Sequence, residues 1–181
     1  MPDEMLDIVD AKDKVIGAEL RSLVHARGLW HRGIHVFLFD GRGRLLVQKR
    51  SANRRQYASL LDCSVSEHVK AGEDYPTAAA RGLWEELGLE GLDLRPLLRF
   101  RLNYGPGDNE ISLLFLSRAD APAPRFDPGE VASIRWFDLR ELDAAMSASP
   151  EKFCGWFVEI LHWLLGKPSA LTVLQEWPAG E

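Results

Sequence analysis

A chain of 181 residues with 46% apolar content can bury a full core, and its net charge of −5 argues against a general binder of nucleic acid or anionic membrane. The acidic start MPDEMLDIVD lacks the basic and apolar regions of a secretion signal, and segment 153–165, interrupted by Glu159 and His162, is too short and too polar to span a bilayer. Cys63 and Cys154 lack metal-ligand spacing, so the expectation is one cytoplasmic domain over 1–181 with reduced, buried thiols.

Residues 5–10 and 14–20 read as a hairpin, with the turn at 11–13. Segments 34–39 and 44–48 are predicted strands joined by Asp40-Gly41-Arg42-Gly43, a strong turn signal. A further strand is expected at 61–66. Within 67–89, EHVKAGEDYPTAAARGLWEELGL, one short helix lies between two loops. Asp74 suits its N-cap, Pro76 its first turn and Gly88 its C′ stop. Steps of 100° place Ala80, Leu83, Trp84 and Leu87 on an apolar stripe and Arg81, Glu85 and Glu86 opposite, with Ala78 and Gly82 among them. Strands follow at 93–102, 110–118 and 134–138, with 121–124 as a loop. A short helix starts at 138–141, a long apolar one covers 150–165, and 167–181 is a tail.

Adjacent acids near a helix C-terminus repel each other and oppose the helix dipole. A hard divalent cation removes the conflict, since Mg²⁺ is held by one or two carboxylates plus phosphate oxygens. The alternative is a solvated face with an Arg81–Glu85 pair. The segment resembles the Nudix box, G-x5-E-x7-R-E-U-x-E-E-x-G-U with U a bulky aliphatic residue. Glu73, Arg81, Leu83, Glu85, Glu86, Gly88 and Leu89 match at the required spacings. Glu67 stands where the opening glycine belongs, and Gly82 where the first acid of the R-E pair belongs. A glycine there either admits a ligand or backbone close to the helix or marks decay of the site.

The resemblance implies an α/β/α sandwich with a mixed sheet between helices, and a Mg²⁺- or Mn²⁺-dependent enzyme. It implies Glu85, Glu86, Glu73 and His68 as metal ligands, with Glu86, Glu85 and Glu110 catalytic. Glu110 or His68 is the candidate base in the absence of an acid at 82. Glu130 is either a second metal ligand or a loop acid, and the loop acid is preferred. Lys49, Arg50, Arg54 and Arg55 cluster beyond the run LLVQKRS, and Arg50, Arg54 and Arg81 are the candidate substrate-binding residues. Arg81 is expected to pair with Glu73 or Glu85.

Outside the box the chain is similar to the isopentenyl-diphosphate isomerase branch of the family. His31, His68 and nearby His25 fall close to that branch's metal-binding histidines, and Asp108-Asn109-Glu110 resembles its E-N-E segment. The cysteine this chemistry requires two positions before the box-loop histidine is Ser66 here. Cys63, three residues earlier, is expected on the opposite face of its strand. His35 and His162 are read as structural, and Trp30, Phe37, Tyr57 and Tyr104 as core residues or base-stacking candidates. The implied activity is hydrolysis of a small-molecule diphosphate of the nucleoside diphosphate-X type, in a possible homodimer. A non-catalytic pyrophosphate binder and an isomerase-like enzyme are the alternatives.

Overall fold

The computed structural model describes residues 3–54, 56–105, 107–119 and 125–178. Strand β1 (Met5–Val9) and strand β2 (Val15–Leu20) form the expected hairpin, whose turn closes as Asp10 accepts the backbone N–H groups of Lys12 and Lys14. Asp13 takes a left-handed φ of 64° at the turn. Its carboxylate accepts Arg32 Nε at 2.7 Å and the Tyr75 hydroxyl at 3.0 Å, which ties the hairpin to the core. Helix α1 (Arg21–Arg27) follows, without a side-chain cap at its start.

Strand β3 (Trp30–Phe39) is the centre of the sheet. It runs parallel to β8 (Asn109–Arg118) and antiparallel to β6 (Val65–His68). Strand β4 (Leu45–Arg50) pairs with β5 (Leu61–Asp62) and β9 (Val131–Phe137), while β7 (Arg95–Asn103) joins β8 to the edge strand β10 (Thr172–Glu176). Alternation along the strands sends Val36, Leu46 and Phe115 toward helix α2 (Tyr75–Leu87). Their neighbours Phe37, Val47 and Leu114 pack against helices α3 (Leu139–Ala148) and α4 (Gly155–Leu164). The result is the expected α/β/α sandwich around a mixed sheet.

Several boundaries differ from expectation. The strand at 61–66 is broken into β5 and β6. The apolar helix starts at Gly155, after a 3₁₀ turn at Pro150–Lys152, because the Cys154 N–H donates to Leu61 O at 2.9 Å. Helix α1 and strand β10 were not expected, and the loop at 121–124 and Arg55 lie outside the described residues. Both cysteines are free and buried. Among the described residues no helix is long and apolar enough to cross a membrane.

Candidate active site

Helix α2 starts and stops where its caps require: Asp74 accepts the Thr77 N–H at 2.9 Å, and Gly88 ends it with φ 63°. Its orientation differs from the predicted stripe. Ala78, Ala79, Gly82, Leu83, Glu86 and Leu87 face inward, whereas Ala80 is exposed and Trp84 is 55% exposed. The inward face therefore carries an acid. Glu86 meets Glu67 from β6 and Glu130 from the loop before β9, with one carboxylate oxygen of each within 4.8 Å of the others. Burial, then the charge of Glu67, pushes the Glu86 carboxyl well above the usual range. Gln48 Nε2 donates to Glu86 Oε2 at 2.7 Å and fixes its direction.

Glu85 and Glu73 stand apart from this convergence. Glu85 is at the surface beside Arg81 Nη1 at 3.0 Å and Lys70 at 3.8 Å. Glu73 gives both carboxylate oxygens to Arg81. Arg81 also donates to His68 O at 2.8 Å, so it clamps the box loop while lining the cavity. Of the adjacent Glu85–Glu86 pair, Glu86 thus converges with Glu67 and Glu130, while Glu85 lines the same cavity from the surface side. Glu130 is a loop acid, as expected, and its carboxylate is one of the three that converge.

A second cluster lies along β3, β6 and β8. The rings of His25, His31 and His68 have centroids 4.9–5.3 Å apart, and one nitrogen of each lies within 4.8 Å of the others. Glu110 Oε1 approaches Nε2 of His31 at 3.6 Å and Nε2 of His68 at 3.7 Å. Burial opposes ionisation of Glu110, but His31 first, then His68 and His35, hold its pKa at about 2. His25 Nε2, His31 Nε2 and Asp108 Oδ1 are buried without a hydrogen-bond partner. Orphaned imidazole nitrogens beside carboxylates fit a transition-metal ion, as the all-carboxylate cluster fits a harder one. Glu4, delivered by the N-terminal hairpin, lies 3.6 Å from His68 Nδ1, and this contact with His68 lowers its pKa. No sequence motif pointed to Glu4.

Gly33 makes room for this second cluster. A Cβ there would collide with the Glu110 carboxylate and lie 2.9 Å from Ser112 Oγ. Gly33→Ala should displace Glu110 and weaken Mn²⁺ or Zn²⁺ binding by about 10–100-fold. Calorimetric titration reads this directly, and an unchanged affinity would show that Glu110 plays no part in holding the ion.

Both clusters open on one cavity of about 470 Å³. Its wall includes Arg54, which contacts Glu130 at 2.6 Å, and Arg50, whose Nη1 donates to buried Asp62 at 3.0 Å while its Nε has no partner. Trp156, unremarked in the sequence, lies under Arg50 with 5.9 Å between guanidinium carbon and ring centre. Tyr57 also lines the cavity, whereas Phe37 is core and Trp30 lies under Arg101.

The NUDIX domain matches residues 29–157. The chain belongs to the Nudix family. It is 36% identical over 163 residues to an isopentenyl-diphosphate Delta-isomerase of Serratia proteamaculans, covering 88% of this chain and 90% of that relative. It is 43% identical over 105 residues to the uncharacterized Nudix hydrolase SCO1686 of Streptomyces coelicolor, 58% of each chain. Among solved structures, DR0079 from Deinococcus radiodurans superposes with a TM-score of 0.76 and 28% identity, covering 88% of this chain and 98% of that one.

In this Nudix chain the two departures from the box are spatially linked. A Cβ at Gly82 would lie 2.7 Å from Val65 Cγ1 and 3.2 Å from Glu67 Cγ. The glycine therefore lets β6 approach α2, and the side chains that fill the space are Val65 and the stem of Glu67. Across this contact Glu67 brings a carboxylate beside Glu86.

Cys63 also departs from expectation. The break between β5 and β6 cancels the odd-step argument, so Cys63 Sγ and Ser66 Oγ both approach Nδ1 of His35, at 3.8 and 3.1 Å. Burial, then Asp62, pushes the Cys63 thiol far up, so it stays protonated. His35, read as structural, lines the cavity with Ser66.

Proposed function

We propose that this Nudix protein is a metal-dependent hydrolase that cleaves a diphosphate bond in a small organic pyrophosphate. The observation that carries the reading is Glu86, buried directly behind Glu67 and Glu130, which line a polar cavity that also holds Arg50 and Arg54. Glu67, Glu86 and Glu130 would hold Mg²⁺ or Mn²⁺, and His25, His31, His68, Asp108 and Glu110 would hold a second divalent ion. Such ions shield phosphate charge and acidify water for in-line attack. Gln48 orients Glu86, Arg81 fixes the box loop through Glu73 and His68 O, and Arg54 offers its guanidinium at the cavity wall. Glu110, held ionised against burial by His31, His68 and His35, serves as ligand and charge partner.

The histidine cluster and the 36% identity also favour an isomerase-like reading. Against it stands the group at position 66: a serine hydroxyl is a poor substitute for a thiol that must exchange protons with carbon. The nearby thiol of Cys63 donates to Val65 O at 3.1 Å and is buried. Incubation with nucleoside and sugar diphosphates and with isopentenyl diphosphate, each with and without Mg²⁺ or Mn²⁺, separates the readings. The expected result is metal-dependent release of phosphate products. Conversion to dimethylallyl diphosphate without such release would establish the isomerase, and thermal stabilisation by an unturned diphosphate would establish a binder.

A further inference from the structure

Beside the carboxylate cluster and the histidine cluster lies a hydrogen-bonded trio that the metal chemistry leaves unused. His35 on β3 faces Ser66 on β6 as a direct cross-strand pair. Its Nδ1 is 3.1 Å from Ser66 Oγ, and its Nε2 is 3.3 Å from the hydroxyl of Tyr104. The imidazole is 2% exposed, stacked on Phe100 at 5.9 Å and flanked by Trp156. Burial lowers its pKa, so it is neutral, with one proton to place on one of its two nitrogens.

The surroundings select the nitrogen. The Tyr104 hydroxyl, kept protonated by burial and then by the charge of Glu110, is a donor available to Nε2. On the other side, Cys63 spends its S–H on Val65 O and turns only sulfur lone pairs toward Nδ1. A lone pair on Nδ1 would face them unfavourably, whereas an Nδ1–H meets both that sulfur and Ser66 Oγ. The tautomer is therefore Nδ1–H, accepting from Tyr104 at Nε2 and donating to Ser66 Oγ. With its oxygen already engaged as acceptor, Ser66 keeps its own O–H for the cavity it lines.

We infer that Ser66 is a hydrogen-bond donor to the bound diphosphate, aimed by the buried His35–Tyr104 pair. This rests on the diphosphate reading of the cavity and assigns that site a neutral donor, set between residues that carry negative charge. Neutrality matters there: a cation at 66 would compete with a metal for Glu67, whereas a hydroxyl satisfies a phosphate oxygen without doing so. Ser66 touches the substrate, and His35 and Tyr104 are positioning residues.

Two measurements test it. In a ¹⁵N spectrum of the imidazole-labelled protein, His35 should show a protonated Nδ1 and an unprotonated Nε2; the opposite pattern, or an imidazolium, overturns the inference. Calorimetric titration with inorganic pyrophosphate in the presence of Mg²⁺ should show Ser66→Ala binding about tenfold more weakly than the parent, as expected for one hydrogen bond to a charged group. His35→Phe should lose a similar factor, and the double variant no more than either alone. Equal binding by the parent and Ser66→Ala overturns this inference alone, while absence of binding by the parent overturns the diphosphate reading with it.

Discussion

Glu86→Gln is expected to lower kcat/KM for the diphosphate substrate by about 10²–10³-fold, the range lost when one group that stabilises developing charge is removed. The amide preserves volume and can still meet the Gln48 amide, which donates to Glu86 Oε2 at 2.7 Å. What it loses is the negative charge. Because burial and Glu67 already disfavour that charge in the metal-free protein, the variant should be at least as stable as the parent at neutral pH without added metal. A collapse of activity combined with an unchanged or raised Tm is the signature of a ligand acid. Undiminished activity would remove Glu86 from the mechanism.

Asp62→Ala should cost about 3–5 kcal/mol of stability, the usual penalty for stranding one member of a buried ion pair. Asp62 is fully buried, accepts Arg50 Nη1 at 3.0 Å and the Trp156 indole N–H at 2.7 Å, and also takes the Cys63 backbone N–H. Its removal leaves the Arg50 guanidinium under 10% exposed without a counter-charge and detaches the Trp156 ring from β5. Denaturant unfolding measures the effect. Arg50→Met combined with Asp62→Ala should lose less than Asp62→Ala alone, because no unpaired charge remains. A loss below about 1 kcal/mol for Asp62→Ala would mean that solvent reaches Arg50 and the pair is not buried in solution.

The helix of the box was readable because its signals are local: Asp74, Pro76 and Gly88 act on backbone within one turn of themselves. Its facing was misread because a hydrophobic stripe assumes that acids point outward. Glu86 points inward, and Trp84 takes the exposed position. The role of Gly82 depends on Val65 and Glu67, which approach from another strand, so no spacing within the helix could express it. His31, His68, Asp108 and Glu110 were picked out by resemblance to the isomerase branch, and the fold brings them together with His25. Glu4 and Trp156 reach the cavity from the first strand pair and the last helix, with nothing local to mark them. Helix α1 has no capping side chain at Leu20, and β10 is exposed at every residue, so each lacks the contrast that periodicity detects.

The central claim is that Glu67, Glu86 and Glu130 form a cation site. The raised pKa of Glu86 means the folded protein binds this proton more tightly than the unfolded chain does. That contribution to stability is therefore full below the ordinary carboxylate pKa and is lost as pH rises through the raised value. A bound cation should cancel the loss. The deciding measurement is Tm against pH, with and without Mg²⁺ or Mn²⁺, for the parent and Glu86→Gln. The account predicts that the parent loses stability with rising pH only when metal is absent, and that Glu86→Gln responds to neither variable at this site. Identical curves for the parent with and without metal would contradict it.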